Sequence, residues 1–391
     1  MKKLLFSLFT LFMGGGAMAQ TITVPDVNAS AGQTVAFSLN LVGGKADTYT
    51  SLQFDAQFPA TGFTTTGAFA ISPSWPAASC TVGDVDDTGL ATIPFASAEA
   101  IIGSDVNYLA TISFLVDESV DPGEYEVTLK NIVLGYGMTD KDQPEDVTFK
   151  VIVNDKGVTL DENSALAPEK TDANVDIIVF RTINANEWST ICLPFAMSAD
   201  KWKAAFGEDA EIRPFEGYEK DGENLLVKVG NKVTAAMTAA NTYFIKVSSD
   251  ITDFTVNAKI TRTDAPRVAQ TEEDPETGEE VELSYMQGTY VAGTVVPAQN
   301  LFLNDNKFYY SKGKTFCKGY RAYLWLTDVL DGYDSSAAAP VIMVFDNETT
   351  GISDIQNKAV DSNIYYNLNG QQIENPAKGL FIKNGKKYVI K

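Results

Sequence analysis

Between Thr21 and Asn154 apolar side chains recur at every second position, in short runs bounded by turn residues. Val35, Phe37, Leu39 and Leu41 make one such face. Leu52, Phe54, Ala56 and Phe58 make a second, and Val147, Phe149, Val151 and Val153 a third. A period of two places successive side chains on opposite sides of an extended chain, so each run buries one face and leaves the other polar. Gly43-Gly44, Asp87-Thr88-Gly89 and Asp121-Pro122-Gly123 supply the turns. The stretch from Leu109 to Leu134 reads as a half-buried antiparallel hairpin closed at Asp121-Pro122-Gly123. Many short strands of this kind predict an all-β fold, a jelly-roll or immunoglobulin-like sandwich over residues 20–154.

The first nineteen residues read as an export signal: Lys2 and Lys3, an apolar run from Leu4 to Met13, and the small-residue site Ala17-Met18-Ala19. That run is too short to span a bilayer, and no other segment approaches the length needed. The expectation is a chain beginning at Gln20 that is secreted or held on the outer cell surface. From 155 to 175 the composition is polar and poor in aromatics, which predicts a linker containing at most one short strand. A second β-rich region, of unknown role, is expected over 176–346. Its strands include DIIVFRTI, TYFIKV and YRAYLWL, and its one helix is SADKWKAAF, with Ser198 as N-cap. EEDPETGEEVE, Glu272 to Glu282, reads as a solvated acidic loop. Residues 351–391 hold two strand-turn-strand units with Asn369-Gly370 and Asn384-Gly385 at the turns.

The chain has no histidine among 391 residues. This excludes Ser-His-Asp and Cys-His catalysis, His-ligated zinc and the two-His iron site. Carboxylate chemistry remains open, so a glycoside hydrolase using an Asp/Glu pair stands as a third reading behind two non-catalytic ones. Lys and Arg number 30 against 51 Asp and Glu, a net charge of −21. A surface so acidic repels nucleic acid and anionic membranes. Three cysteines, Cys80, Cys192 and Cys317, match no metal spacing. Cys192 and Cys317 are candidates for pairing, the alternative being that each is a small buried hydrophobe. GDVDDTG, Gly83 to Gly89, fails as a calcium loop because Phe95 stands at its twelfth position, so it reads as a tight turn. No cofactor or metal is expected.

AGQTVAFSLNL, SLQFDAQFP, DTGLATIPFASA and LATISFLVDESVDPGEYEVTLKNIVL together resemble a cohesin domain, over about Thr21 to Asn154. The resemblance implies a sandwich that holds a dockerin-type protein on a polysaccharide-degrading scaffold. The binding face it implies contains the strand from Ser51 to Phe58, whose outward residues are Ser51, Gln53, Asp55 and Gln57. A plain solvated sheet face is the alternative for those four. The sandwich is also similar to certain carbohydrate-binding modules, which implies direct polysaccharide binding as the competing function. Trp75 and Tyr136 are then the rings for stacking on sugars, with Trp75 as a loop ring closing the core edge as the alternative. Arg321, between aromatics, is either a ligand contact or a structural stack. NEWSTICLPF and KGYRAYLWL resemble domains of large exported proteins, with no chemistry attached. YYNLNGQQIENPAKGLFIKNGKKYVIK resembles the sorting modules of type IX secretion substrates, the alternative being a hairpin that completes the second region.

Overall fold

The computed structural model describes residues 21–43, 48–72, 75, 78–100, 108–136, 139–155, 157–221, 224–274, 276–326 and 341–345, with the backbone of four short strands between 365 and 390. The expected export signal lies outside the described residues.

Eleven strands build the first region: β1 (Thr21–Thr23), β2 (Val27–Ser30), β3 (Thr34–Val42), β4 (Ser51–Gln57), β5 (Phe63–Ile71), β6 (Ala78–Cys80), β7 (Leu90–Ser97), β8 (Ala110–Val116), β9 (Gly123–Tyr136), β10 (Asp140–Asp142) and β11 (Val147–Asn154). They form two sheets, ordered β1-β3-β8-β5 and β2-β11-β9-β4-β7-β6, with β10 added to β9. The alternating residues meet between the sheets. Phe37 packs on Phe149 at 5.2 Å and Phe58 on Phe114 at 5.4 Å, each pair crossing from one sheet to the other. All four rings are buried, so the period of two fixes which side of each strand faces the core.

The expected hairpin over 109–134 does not form. β8 lies in one sheet and β9 in the other. The connection crosses the sandwich instead: the Gly32 amide donates to the Val116 carbonyl (2.8 Å) and the Asp117 amide to Gly62 (2.9 Å). Asp117 Oδ1 accepts from the Ser119 amide at 2.9 Å, turning the chain before Pro122. Alternation reports which face is buried. It reads the same for strands paired side by side and strands facing each other across a core.

The second region contains β12 (Val158–Asp161), β13 (Val175–Ile183), β14 (Ser189–Cys192), α1 (Ala199–Phe206), β15 (Glu211–Asp221), β16 (Asn224–Val229), β17 (Thr242–Lys246), β18 (Ile251–Ala258), β19 (Arg267–Glu273), β20 (Glu280–Thr289), β21 (Thr294–Val296), β22 (Leu301–Asn304), β23 (Lys307–Tyr310), β24 (Thr315–Cys317), β25 (Arg321–Leu326) and β26 (Val341–Phe345). Its main sheets run β12-β13-β18, β14-β17-β15-β16-β26 and β19-β20-β25-β22-β23. Trp202 and Phe206 share the buried face of α1, and Ser198 stands at its N-cap without a side-chain capping bond. The acidic run 272–282 is the exposed tip of the β19–β20 hairpin, its flanks paired from Glu272↔Val281 to Glu273↔Glu280.

Within 155–175, β12 pairs in parallel with β13. Thr159, Asp161 and Glu162 there are buried although polar. Asn28 and Ser30 of β2 and Gln33 of the turn after it supply partners for Thr159 and Asp161, and Arg181, Lys318 and Arg321 supply them for Glu162. Gln33 acts as a strand substitute: its Oε1 accepts from the Thr159 amide (3.2 Å) and its Nε2 donates to the Thr159 carbonyl (2.6 Å). Asn28 donates to Asp161 from its side chain at 2.8 Å, and the Ser30 and Thr159 hydroxyls meet at 2.8 Å. Ala36 and Ser38, on the outer side of β3, are buried beside Asp161, Asn163 and Ser164. Tyr108 adds a ring contact to Phe316 at 5.6 Å. The second region therefore covers the outer side of the four-stranded sheet at β3.

Near the C terminus, β27 (Tyr365–Tyr366), β28 (Gln372–Ile373), β29 (Gly379–Lys383) and β30 (Lys386–Ile390) form an antiparallel sheet ordered β28-β27-β29-β30. Lys383 pairs with Lys386, the register of a two-residue connection.

Candidate partner-binding face

β4 is an inner strand of the larger sheet, between β9 and β7. Leu52, Phe54 and Ala56 are buried in the core, which turns Ser51, Gln53, Asp55 and Gln57 outward. Gln53 is exposed and the other three are half-buried. Register fixes their neighbours: Ser51 lies between Gly135 and Ala96, Gln53 between Val133 and Pro94, Asp55 between Lys130 and Thr92, Gln57 between Thr128 and Leu90.

Pairing of β4 with β9 slips between Gln53 and Asp55. Asn131 sits in the slip with φ 53°, a left-handed conformation that asparagine tolerates better than most residues. This bulge aims Asn131 Nδ2 at Asp55 Oδ2 (2.8 Å), while Thr92 Oγ1 donates to Asp55 Oδ1 (2.6 Å). Asp55 is thus a carboxylate held in one orientation by two donors from neighbouring strands. Gln57 is tied locally, donating to the carbonyls of Thr88 (2.8 Å) and Phe58 (3.1 Å). The structure places Ser51, Gln53, Asp55 and Gln57 in one outward row and brings Thr92 and Asn131, which the sequence did not single out, to Asp55. Only the register and the bulge place those two beside Asp55.

Trp75 does not stack on sugars. Its side chain is fully buried, lying 6.1 Å from Phe95 in a stacked arrangement, and its Nε1 donates to the Glu99 carbonyl at 3.2 Å. Both ring faces are taken up inside the protein because the tryptophan fills the sandwich edge beside β7. Tyr136 is half-buried, set edge-on against Tyr49 at 5.8 Å, with its hydroxyl toward Asp142 at 3.4 Å. Tyr49 itself is fully buried. The two proposed rings do not form a platform.

The three cysteines are free thiols. A Cβ on Gly288 would come within 2.6 Å of Cys192 Sγ, whereas the Cys317 thiol bonds to Thr289. Successive residues of β20 point to opposite faces, so the two sulfurs lie on opposite sides of one strand. Burial pushes the Cys80 thiol up to about 12 and the Cys317 thiol up to about 11, so both stay protonated at neutral pH.

Arg321 makes an ion pair rather than a stack. Its Nη2 lies 2.8 Å from Glu162 Oε2, and Glu162 also meets Arg181 Nη1 (3.3 Å) and Lys318 Nζ (3.2 Å). In the Gly83–Gly89 turn, Asp86 Oδ1 accepts from the Thr88 hydroxyl (2.6 Å), the Thr88 amide (2.8 Å) and the Leu90 amide (3.0 Å). Those bonds, the Thr88 hydroxyl first, hold its carboxyl below the usual range. Among the described residues no group of three or more Cys, Asp or Glu is placed to hold a metal. No described helix is long and apolar enough to cross a membrane. A cleft of about 440 Å³ runs along the seam between the two regions. Asn28, Gln33, Thr159 and Asp161 on its walls are bonded to one another, so they form a joint between the regions.

No family model and no curated protein matches the chain. Several solved structures do, over the sandwich-sized share of its length. One is a complex described as a novel type I cohesin–dockerin complex, Coh-OlpA-Doc918, from Clostridium thermocellum, at 16% identity and a TM-score of 0.31, covering 35% of this chain and 100% of the other. A cohesin module of a Clostridium perfringens family 33 glycoside hydrolase is similar at 18% identity and 0.29, covering 35% and 97%. The seventh ScaB type I cohesin of Pseudobacteroides cellulosolvens is similar at 14% identity and 0.27, covering 35% and 94%.

Proposed function

We propose that this chain is an exported, non-catalytic binding protein whose sandwich docks a protein of dockerin type through the outer face of β9-β4-β7-β6. The observation that carries this reading is the division of labour between the two sheets. The second region covers the smaller sheet at β3, while the larger sheet keeps an open polar row on β4 with Asp55 oriented by Thr92 and Asn131. An oriented carboxylate gives a partner fixed hydrogen-bond positions, with Pro94, Ala96 and Val133 as apolar neighbours along the row. The sequence resemblance to cohesins supports the same face and supplies the partner class. It also supplies the setting, polysaccharide use at the outer cell surface, with the basic C-terminal strands as a sorting module of the type IX kind.

The test is capture of secreted proteins on the chain without its first nineteen residues, with and without a calcium chelator. The expected outcome is a dockerin-bearing protein that is retained with calcium, released by chelator, and lost from a Gln53→Arg/Asp55→Arg chain of unchanged thermal stability. Retention that survives both substitutions removes this face from the reading. Capture of no dockerin-bearing protein removes the partner class.

A further inference from the structure

Tyr320 carries two costs that the fold does not explain. Its φ is 56°, in the left-handed region where a bulky residue is strained. It is also only 1% exposed, yet its hydroxyl has no hydrogen-bond partner among the described residues and is not sealed from solvent. A polar group held inside a protein without a partner costs free energy. The Tyr320 carbonyl is spent within the second region, accepting from the Cys192 amide (3.2 Å) and Arg181 Nε (3.5 Å). The side chain is therefore what this residue contributes to the cleft of about 440 Å³ along the seam. Burial first, then the charge of Asp161, pushes the Tyr320 hydroxyl up, so the hydroxyl stands near a carboxylate that also lines the cleft.

One wall of the cleft is the joint already described. The rest of the lining has hydrogen-bonding capacity left. The Thr34 hydroxyl, on the outer side of β3, has no partner among the described residues. Ser164 Oγ accepts from the Leu166 amide at 3.2 Å, which leaves its proton to donate. Val158 and Leu166, both half-buried, add apolar surface. Charge narrows what can enter. Asp161 is buried and makes no ion pair among the described residues, so its charge repels an anion. Its two oxygens already accept two N–H groups each, from Asn28 and Asn163, and have no lone pair left for a cation. Lys170, exposed on the same lining, opposes a cation as well. An uncharged molecule whose own hydroxyls both donate and accept meets these conditions.

We infer that the seam cleft binds a short uncharged saccharide, with the hydroxyls of Tyr320, Thr34 and Ser164 as its hydrogen-bonding groups. The cleft has the volume of a small-molecule site and the usual place of one, between two folded units. It is independent of the docking face on β4. Thr34 comes from the sandwich, Ser164 and Tyr320 from beyond it, so a bound sugar touches both sides of the seam.

The test is calorimetric titration of the chain with cellobiose, xylobiose and galactobiose, and with digalacturonate as the charged comparison. The expected result is saturable binding of at least one of the three neutral disaccharides at one site, and weaker binding of digalacturonate. Tyr320→Phe removes only the hydroxyl. It is expected to weaken binding about tenfold, the scale of one hydrogen bond. Its melting temperature is expected to stay level or rise, because an unpaired buried group has gone. No saturable binding of any neutral disaccharide overturns the inference, as does tighter binding of digalacturonate or an unchanged affinity in Tyr320→Phe. A lowered melting temperature in Tyr320→Phe, or its failure to fold, makes the hydroxyl a structural group and overturns it too.

Discussion

Glu162 gathers charge from three directions, and its protonation should be felt by the whole fold. Burial pushes its carboxyl up, but Arg321, Arg181 and Lys318 together outweigh burial and hold it below its usual value of 4.5. A carboxyl lowered in the folded state adds stability above its unfolded value, and that stability is lost as pH falls through the folded value. We expect Glu162→Gln to cost about 3 kcal/mol at pH 7, the scale for removing one partner of a buried ion pair. We also expect the variant to lose less than the parent between pH 6 and pH 3, so the two stability curves converge. Urea midpoints across that range check this, and parallel curves would contradict it. Nothing in the sequence marks Glu162, which stands in a polar stretch of linker-like composition. Trp75 shows the opposite difficulty. Its residue type and loop setting fit a binding ring and a core plug equally well, and only the position of Phe95 and the Glu99 carbonyl decides between them.

At the scale of strands, alternation made the buried faces of β3, β4 and β11 legible and gave the outward row on β4 without error. It did not give partners. The arch between β8 and β9 reads as a hairpin because both strands bury one face toward the same core, and Pro-Gly suits either connection. Six strands of the second region escaped: β15, β19 and β20 because Pro, Gly or acids interrupt their runs, and β21, β22 and β24 because three or four residues are too few to show a period. The bulge at Asn131 also left no signal, yet it orients the carboxylate of Asp55. A β-branched residue there meets a backbone conformation it rarely adopts. We expect Asn131→Val to cost about 1–3 kcal/mol and Asn131→Gly less. Denaturant midpoints measure both, and equal costs would mean that the side-chain bond, not the left-handed backbone, holds the bulge.

For the molecule as a whole, the joint at Gln33 decides whether the two regions behave as one body. Gln33 closes on both backbone groups of Thr159 and also accepts from the Ser30 amide at 3.1 Å. Removing it strands those groups at the seam, a loss of about 1–3 kcal/mol. The parent chain is expected to show one calorimetric transition for the sandwich and the second region, and Gln33→Ala to separate it into two. A single transition in both proteins would place the coupling elsewhere, with Tyr108 and Phe316 the next pair to alter. The linker expectation failed in an instructive way. Its premise, that a polar segment cannot order itself, holds for the segment alone, and the order came from pairing with β13, from β2 and the turn after it, and from the cations around Glu162.

Walling off β3 of the smaller sheet also sets valence. A free sandwich has two broad faces and, in principle, two ways to be gripped. On the proposed reading, fastening at β3 holds the face on β4 at a fixed azimuth to the rest of the chain. On that reading, the sandwich of each copy then holds one partner, through the larger sheet.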